Sequence, residues 1–241
     1  MTMKQTVLIT GAAKRLGASI AYFLAKEGWE VVLHYNHSRD DAVKLSEKLK
    51  KEFHGREFPV IQGDLSNVDV VMSLIEKLPN SVESVQALVN NASIFDPGAI
   101  DETSPDFLRE QMAVNFEAPF FLMQAFKNTF GKGSIVNMLD TKIGKNEGSH
   151  AAYLLAKKSL AELTRMAAIS FAPEIRVNGV APGPVLPPPR KSADYLQEVI
   201  DKTPLRRQVD TFDIAASVSF LLNNPSVTGQ IVYCDSGSHL T

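Results

Sequence analysis

The chain has 241 residues, 44% of them hydrophobic, with a formal net charge of −2 and one cysteine. Length and composition suffice for one sizeable core, and the near-neutral charge gives nucleic acid no electrostatic reason to bind. A single cysteine excludes an intrachain disulfide and fits a cytoplasmic setting, while no apolar run approaches the ~18 residues that span a bilayer.

The chain reaches its first apolar segment within a few residues, with no charged-then-apolar leader. Thr6–Thr10 (TVLIT) is continuous, apolar and β-branched, as in a strand buried on both faces. A glycine-bearing turn, Gly11 to Gly17, then opens an amphipathic helix from Arg15 to Glu27 that Gly28 ends. Further strands are expected at Glu30–Tyr35, Phe58–Gln62, Ser84–Asn90, Ser134–Met138, Ile175–Val180 and Gln230–Cys234. Between them the spacing predicts helices over Asp40–Phe53 and Val68–Leu78, the latter stopped by Pro79. A long helix from Phe107 to Phe130 is interrupted or kinked near Pro119. Another carries Tyr153 and reaches Phe171; after a proline-rich loop (Pro182 to Pro189) come a short helix and one over Thr211–Leu222. Strands alternate with helices throughout. This predicts one α/β domain over residues 1–241, a Rossmann-type doubly wound parallel sheet of about seven strands with helices on both faces.

The turn Thr10-Gly11-x-x-x-Arg15-x-Gly17 lies where a doubly wound fold cradles phosphate, since exposed N–H groups and the helix dipole attract an anion there. The bland alternative is a plain strand-to-helix turn. Arg15 stands where a glycine is commoner, between Lys14 and Leu16. The second strand ends in Tyr35-Asn36-His37-Ser38-Arg39, with no acid before Asp40. With Lys14 and Arg15 opposite, that run favours a 2′-phosphate, and hence NADP(H), over the free ribose of NAD. Its other reading is a solvated helix start capped by Asp40. Asp64, followed by Leu65, is placed to reach the adenine, and Asn91-Ala92-Ser93 lets the backbone approach the cofactor through a small residue.

Tyr153 and Lys157 are one helical turn apart and share a face. A fixed ammonium beside the phenol is expected to lower its pKa and make it a general acid or base near neutrality. Tyr22 and Lys26 repeat the spacing but are read as a helix face only. Asp140, at the end of its strand, points a carboxyl toward Tyr153; it can also cap a turn there.

Taken in order, TGAAKRLG, GDLS, NNAS, Asn115, the strand VNM, Tyr153-x-x-x-Lys157 and RVNGVAPGPV resemble the short-chain dehydrogenase/reductase family over essentially the whole chain. The resemblance implies that Tyr153 is the proton donor and that Lys157 binds the nicotinamide ribose. It implies that Asn115 kinks the central helix and holds a relay water, and that Pro182 and Gly183, with Val185, flank the nicotinamide. Most of the family has a serine thirteen residues before the tyrosine, and here that residue is Asp140. A carboxyl in place of a hydroxyl suits a substrate with ring nitrogens. Asp140, the NMLD sequence, Arg15 and the run of His34, Tyr35 and Ser38 resemble the pteridine-reducing branch, which includes dihydromonapterin reductases. His37 departs from it, standing where an arginine is common.

Phe95, in Ser93-Ile94-Phe95, is similar to that branch's aromatic ring that stacks on a pterin, though it can instead pack its loop onto the core. Pro184 lies at the start of a substrate loop expected over about residues 183–200. The C-terminal Ser-His-Leu-Thr resembles tails that, in tetramers of that branch, approach a neighbouring subunit's site. The expectation is an NADPH-dependent reductase of a dihydropterin, homotetrameric and without a metal. The alternatives are a carbonyl reductase of the same fold, acting on a ketone, sugar or 3-oxoacyl thioester, and a non-catalytic NADP-sensing module.

Overall fold

The structure, a computed structural model, describes residues 5–185 and 193–241. The apolar, β-branched runs form seven strands: β1 (Thr6–Ile9), β2 (Glu30–Tyr35), β3 (Val60–Gln62), β4 (Ala87–Asn90), β5 (Gly133–Met138), β6 (Ile175–Pro182) and β7 (Ile231–Cys234). They make one sheet in the order β3-β2-β1-β4-β5-β6-β7, every adjacent pair parallel. The helices are α1 (Arg15–Lys26), α2 (Arg39–Glu52), α3 (Val68–Ser73), α4 (Pro105–Met112), α5 (Ala118–Phe130), α6 (Ala151–Ser170), α7 (Ala193–Asp201) and α8 (Thr211–Asn223).

Strand pleating sends alternate side chains into two cores. In β1, Val7 and Ile9 join Ile20 and Leu24 of α1, Leu49 of α2 and Val218 of α8 on one face. Leu8 enters the other core with Val71 of α3, Leu122 and Phe126 of α5 and Ala168 of α6. Val7, Leu8 and Ile9 are all completely buried, each contributing about 1.5–3 kcal/mol relative to exposure. Such a run therefore reads as continuously apolar.

Several element limits differ from those expected, each for a local reason. Pro59 has no N–H for the ladder, so β3 begins at Val60 rather than Phe58. Ser104 accepts the Phe107 N–H (3.2 Å), and Pro105 fits the first turn, so α4 starts at Pro105 rather than Phe107. The interruption of the long helix is a π-helical turn over Ala113–Glu117, just before Pro119. Pro119 has no N–H to offer the Asn115 carbonyl four residues back. Helix α3 ends at Ser73, and the chain to Leu78 tightens through bonds such as Leu74 N–H to Val71 (3.2 Å).

Strands β1 and β4 are neighbours, and their connections leave in opposite directions. Their carboxyl ends form the topological switch point, where ligands of such sheets bind. No described helix is long and apolar enough to cross a membrane.

Candidate active site

At the switch point, the glycine turn is braced from three sides. Gly11 takes a left-handed φ of 62°, and a Cβ there would come within 2.9 Å of the Ala92 backbone. Its N–H donates to His34 Nδ1 (3.1 Å), which leaves His34 Nε2 to donate to the Gly63 carbonyl (3.1 Å). His34 is completely enclosed, and burial lowers its pKa to about 4, so the ring is the neutral tautomer those two bonds require. Thr10 Oγ1 accepts the N–H groups of Asn91 (2.9 Å) and Ala92 (3.0 Å), and the Asn91 amide donates to the Thr10 and Gly11 carbonyls. Arg15 stands at a φ of 52°, a conformation that glycine takes at no cost.

Above this turn lies a cleft of about 490 Å³. Its lining contains most of the expected cofactor residues: Gly11, Lys14, Arg15, Leu16, Gly17, Asn36, Asp64, Leu65, Asn91, Ala92, Ser93, Tyr153, Lys157, Pro182 and Gly183. Tyr35, His37 and Ser38 do not line it. Tyr35 is buried, and Ser38 is the residue that precedes α2 in place of the expected cap Asp40. Lys14 forms an ion pair with Asp41 (2.9 Å). The Asp64 carboxyl accepts the Ser66 N–H and hydroxyl (3.0 and 2.8 Å) and the Asn36 amide (3.3 Å), so it organises its own turn. The donor set still suits a dinucleotide: main-chain N–H groups and two cations flank the α1 start, and Lys157 stands at the far end.

At that end, the Tyr153 hydroxyl donates to Asp140 Oδ2 (2.8 Å), and Asp140 Oδ1 accepts the Lys142 N–H (2.7 Å). Asp140 thus caps a short 3-10 turn and meets Tyr153 at the same time. Burial raises the Asp140 pKa, although the bonds from Lys142 and Tyr153 oppose the rise. Lys157 Nζ donates to the Met138 carbonyl (2.8 Å), and burial lowers its pKa to about 8. The Tyr153 pKa moves opposite to the expected direction: burial and then the Asp140 carboxylate push it well above 10. The low-dielectric site penalises a phenolate, and hydrogen bonding with Ser93 only partly opposes the rise. Tyr153 holds its proton.

Asn115 is fully enclosed. Its amide donates to the Ile94 carbonyl (3.0 Å) and Gln111 Oε1 (3.2 Å), while its Oδ1 accepts from the Ser93 hydroxyl (2.7 Å) and the Ile94 N–H (3.3 Å). Its side chain braces the Ser93 loop, with both its amide and its Oδ1 engaged within the protein. Tyr22 bonds to Glu52 and packs against Phe53 and Phe212, a helix face as read.

A second cavity, about 700 Å³, opens beyond Asp140 and Tyr153. Phe95, Arg15, Ser93, Pro184 and Val185 line it; Val185 belongs here rather than in the cofactor cleft. The substrate loop falls partly outside the described residues, which resume at 193. Phe95 meets Tyr153 edge-on (centroids 4.7 Å apart) and stacks flat on His150 (4.3 Å, 4° between planes). Ser238 and Thr241 of the tail line this cavity of their own chain. Sequence reasoning missed His150 and Asp235, and saw His34 only as part of a run. His150 lies one turn before Tyr153, a spacing that places a neighbour beside it; Asp235 follows the last strand, at the sheet's ligand-bearing edge.

Parallel sheet, glycine turn and Tyr153–Lys157 helix together define a nucleotide-dependent oxidoreductase of the short-chain type. A family model described as "Enoyl-(Acyl carrier protein) reductase" matches residues 11–239, and the chain belongs to the short-chain dehydrogenase/reductase family. It is 29% identical to a 3-oxoacyl-[acyl-carrier-protein] reductase FabG from Staphylococcus epidermidis, over 99% of this chain and 100% of that one. It is 32% identical to pteridine reductase 1 from Leishmania tarentolae, over 97% and 96% of the two chains. Among solved structures, FolM alternative dihydrofolate reductase 1 from Brucella canis, complexed with NADP, superposes with a TM-score of 0.91 at 30% identity. That match covers 98% of this chain and 95% of the other.

Proposed function

We propose that the protein reduces the pteridine ring of a dihydropterin with NADPH, the reduced form of the NADP carried by the Brucella structure it resembles. The observation that supports this most is Asp140, where the family's serine usually stands, in contact with the Tyr153 hydroxyl at 2.8 Å. A carboxyl can accept a ring or amino N–H, which a ketone does not offer.

Gly11, Arg15, Gly17 and Ala92 would hold the phosphates, Lys157 the nicotinamide ribose, and Pro182 with Gly183 the nicotinamide itself. When bound, NADPH supplies a hydride for the carbon of a ring C=N bond. Tyr153, which keeps its proton, gives it to the adjacent nitrogen, directly or through a water held by the Asn115 carbonyl. Asp140 orients the ring, and its raised pKa lets it carry a proton between Tyr153 and solvent. Phe95 covers one face of the flat bicycle, a stacking worth about 0.5–1.5 kcal/mol beyond burial. A homotetramer in the cytoplasm completes the reading; exposed Leu155, Met166 and Ile169 on α6 offer an apolar face for it.

A carbonyl reductase is the competing reading, favoured by the similarity to the FabG reductase. NADPH oxidation measured with dihydromonapterin, dihydrobiopterin and dihydrofolate against a 3-oxoacyl thioester separates them. Turnover of the thioester alone would sink the pterin assignment, and cofactor binding without any turnover would favour a sensor.

A further inference from the structure

Asp235 directly follows β7 and is 3% exposed, a costly place for a carboxylate unless its oxygens are satisfied. Four donors satisfy them. The Thr141 hydroxyl reaches Oδ2 from the residue next to Asp140. The Gly237 N–H donates to Oδ1 (3.0 Å); the His239 N–H and ring Nδ1 both meet Oδ2 (2.8 Å each). Burial alone would raise the Asp235 pKa, but these bonds outweigh it and hold the carboxyl below its ordinary range.

The tail is tied at further points. The Tyr233 ring stacks on His239 (4.1 Å), and the Ser236 hydroxyl donates to the Arg207 carbonyl (2.7 Å). Gly237, at a φ of 83°, turns the chain against Pro204, where a Cβ would come within 2.9 Å. The result places Ser238 and Thr241 on the wall of the cavity that Thr141, Asp140 and Phe95 also line.

We infer that residues 235–241 form a specificity wall for the substrate cavity, and that Asp235 is the positioning residue that clasps this wall to Thr141. The wall limits the substituent that the reducible ring can carry. This rests on the reading above that a flat ring occupies the cavity.

The test uses the full-length enzyme, the Asp235→Asn variant and a variant lacking residues 239–241. Each is given dihydropterins graded from a 6-methyl group to dihydrofolate, and NADPH affinity is titrated separately. Loss of the tail should raise kcat/KM for the largest substrate relative to the smallest by tenfold or more, through KM, with NADPH affinity within twofold. An unchanged ratio overturns the proposal. In Asp235→Asn, amide hydrogen exchange at 141–144 should quicken at least tenfold relative to the full-length enzyme. This second measurement needs no substrate, and unchanged exchange overturns the clasp even if no dihydropterin is turned over. Absence of pterin turnover in the unaltered enzyme would instead count against the ring reading alone.

Discussion

Tyr153 donates its phenolic hydrogen to Asp140 across 2.8 Å, thirteen residues away in sequence and on the next element of the fold. Tyr153 is buried and Asp140 partly so, and desolvation raises the pKa of each. Tyr153→Phe should lower kcat about 10²–10⁴-fold with NADPH affinity retained. Asp140→Ser should weaken pterin turnover far more than cofactor binding. Stopped-flow NADPH oxidation beside fluorescence titration checks both, and an equal loss of the two properties in Asp140→Ser would make Asp140 structural.

His34 makes stability depend on pH. Above its ordinary pKa of 6.5 the imidazole is neutral in folded and unfolded chains alike, and its two bonds contribute fully. Below 6.5 the unfolded chain takes up a proton that the folded chain refuses until about pH 4. Stability attributable to His34 should therefore fall by about 3 kcal/mol between those values. Urea unfolding from pH 7 to pH 4, with His34→Gln as reference, reads that part of the profile; parallel curves for the two proteins would refute it.

His150 backs Phe95 on one face while Tyr153 abuts its edge. Gly98 is also bridged to His150, through Gly98 N–H to Ser149 (3.0 Å) and Ala151 N–H to Gly98 (3.2 Å), which ties the Phe95 loop to the start of α6. His150→Ala should raise the KM for the ring substrate about 2- to 10-fold, as expected for losing one aromatic pair. NADPH affinity should not change, and His150→Phe should restore the KM. Failure of the aromatic replacement to do so would show that the ring stack is not what matters.

Arg15 holds a backbone conformation that costs a non-glycine residue about 1 kcal/mol, and it lines both cavities. Arg15→Gly should leave the melting temperature unchanged or slightly raised, while NADPH affinity falls about tenfold or more. A variant that is both destabilised and fully able to bind would reverse this account.

The sequence by itself determined the alternation of elements, the parallel sheet, the glycine turn and the Tyr153–Lys157 pair. These are local: a period of two or 3.6, a breaker, a spacing of one turn. The substitution of Asp140 for serine was equally visible, because it is a matter of register along one segment. What only the tertiary structure decided is which groups share an environment. Burial reversed the expected direction of the Tyr153 pKa, because desolvation depends on what surrounds a group and not on its nearest neighbour in sequence. The bond from Gly11 to His34 spans 23 residues and the one from Thr141 to Asp235 spans 94. No periodicity encodes such contacts; they exist because parallel strands bring their carboxyl ends to one edge of the sheet.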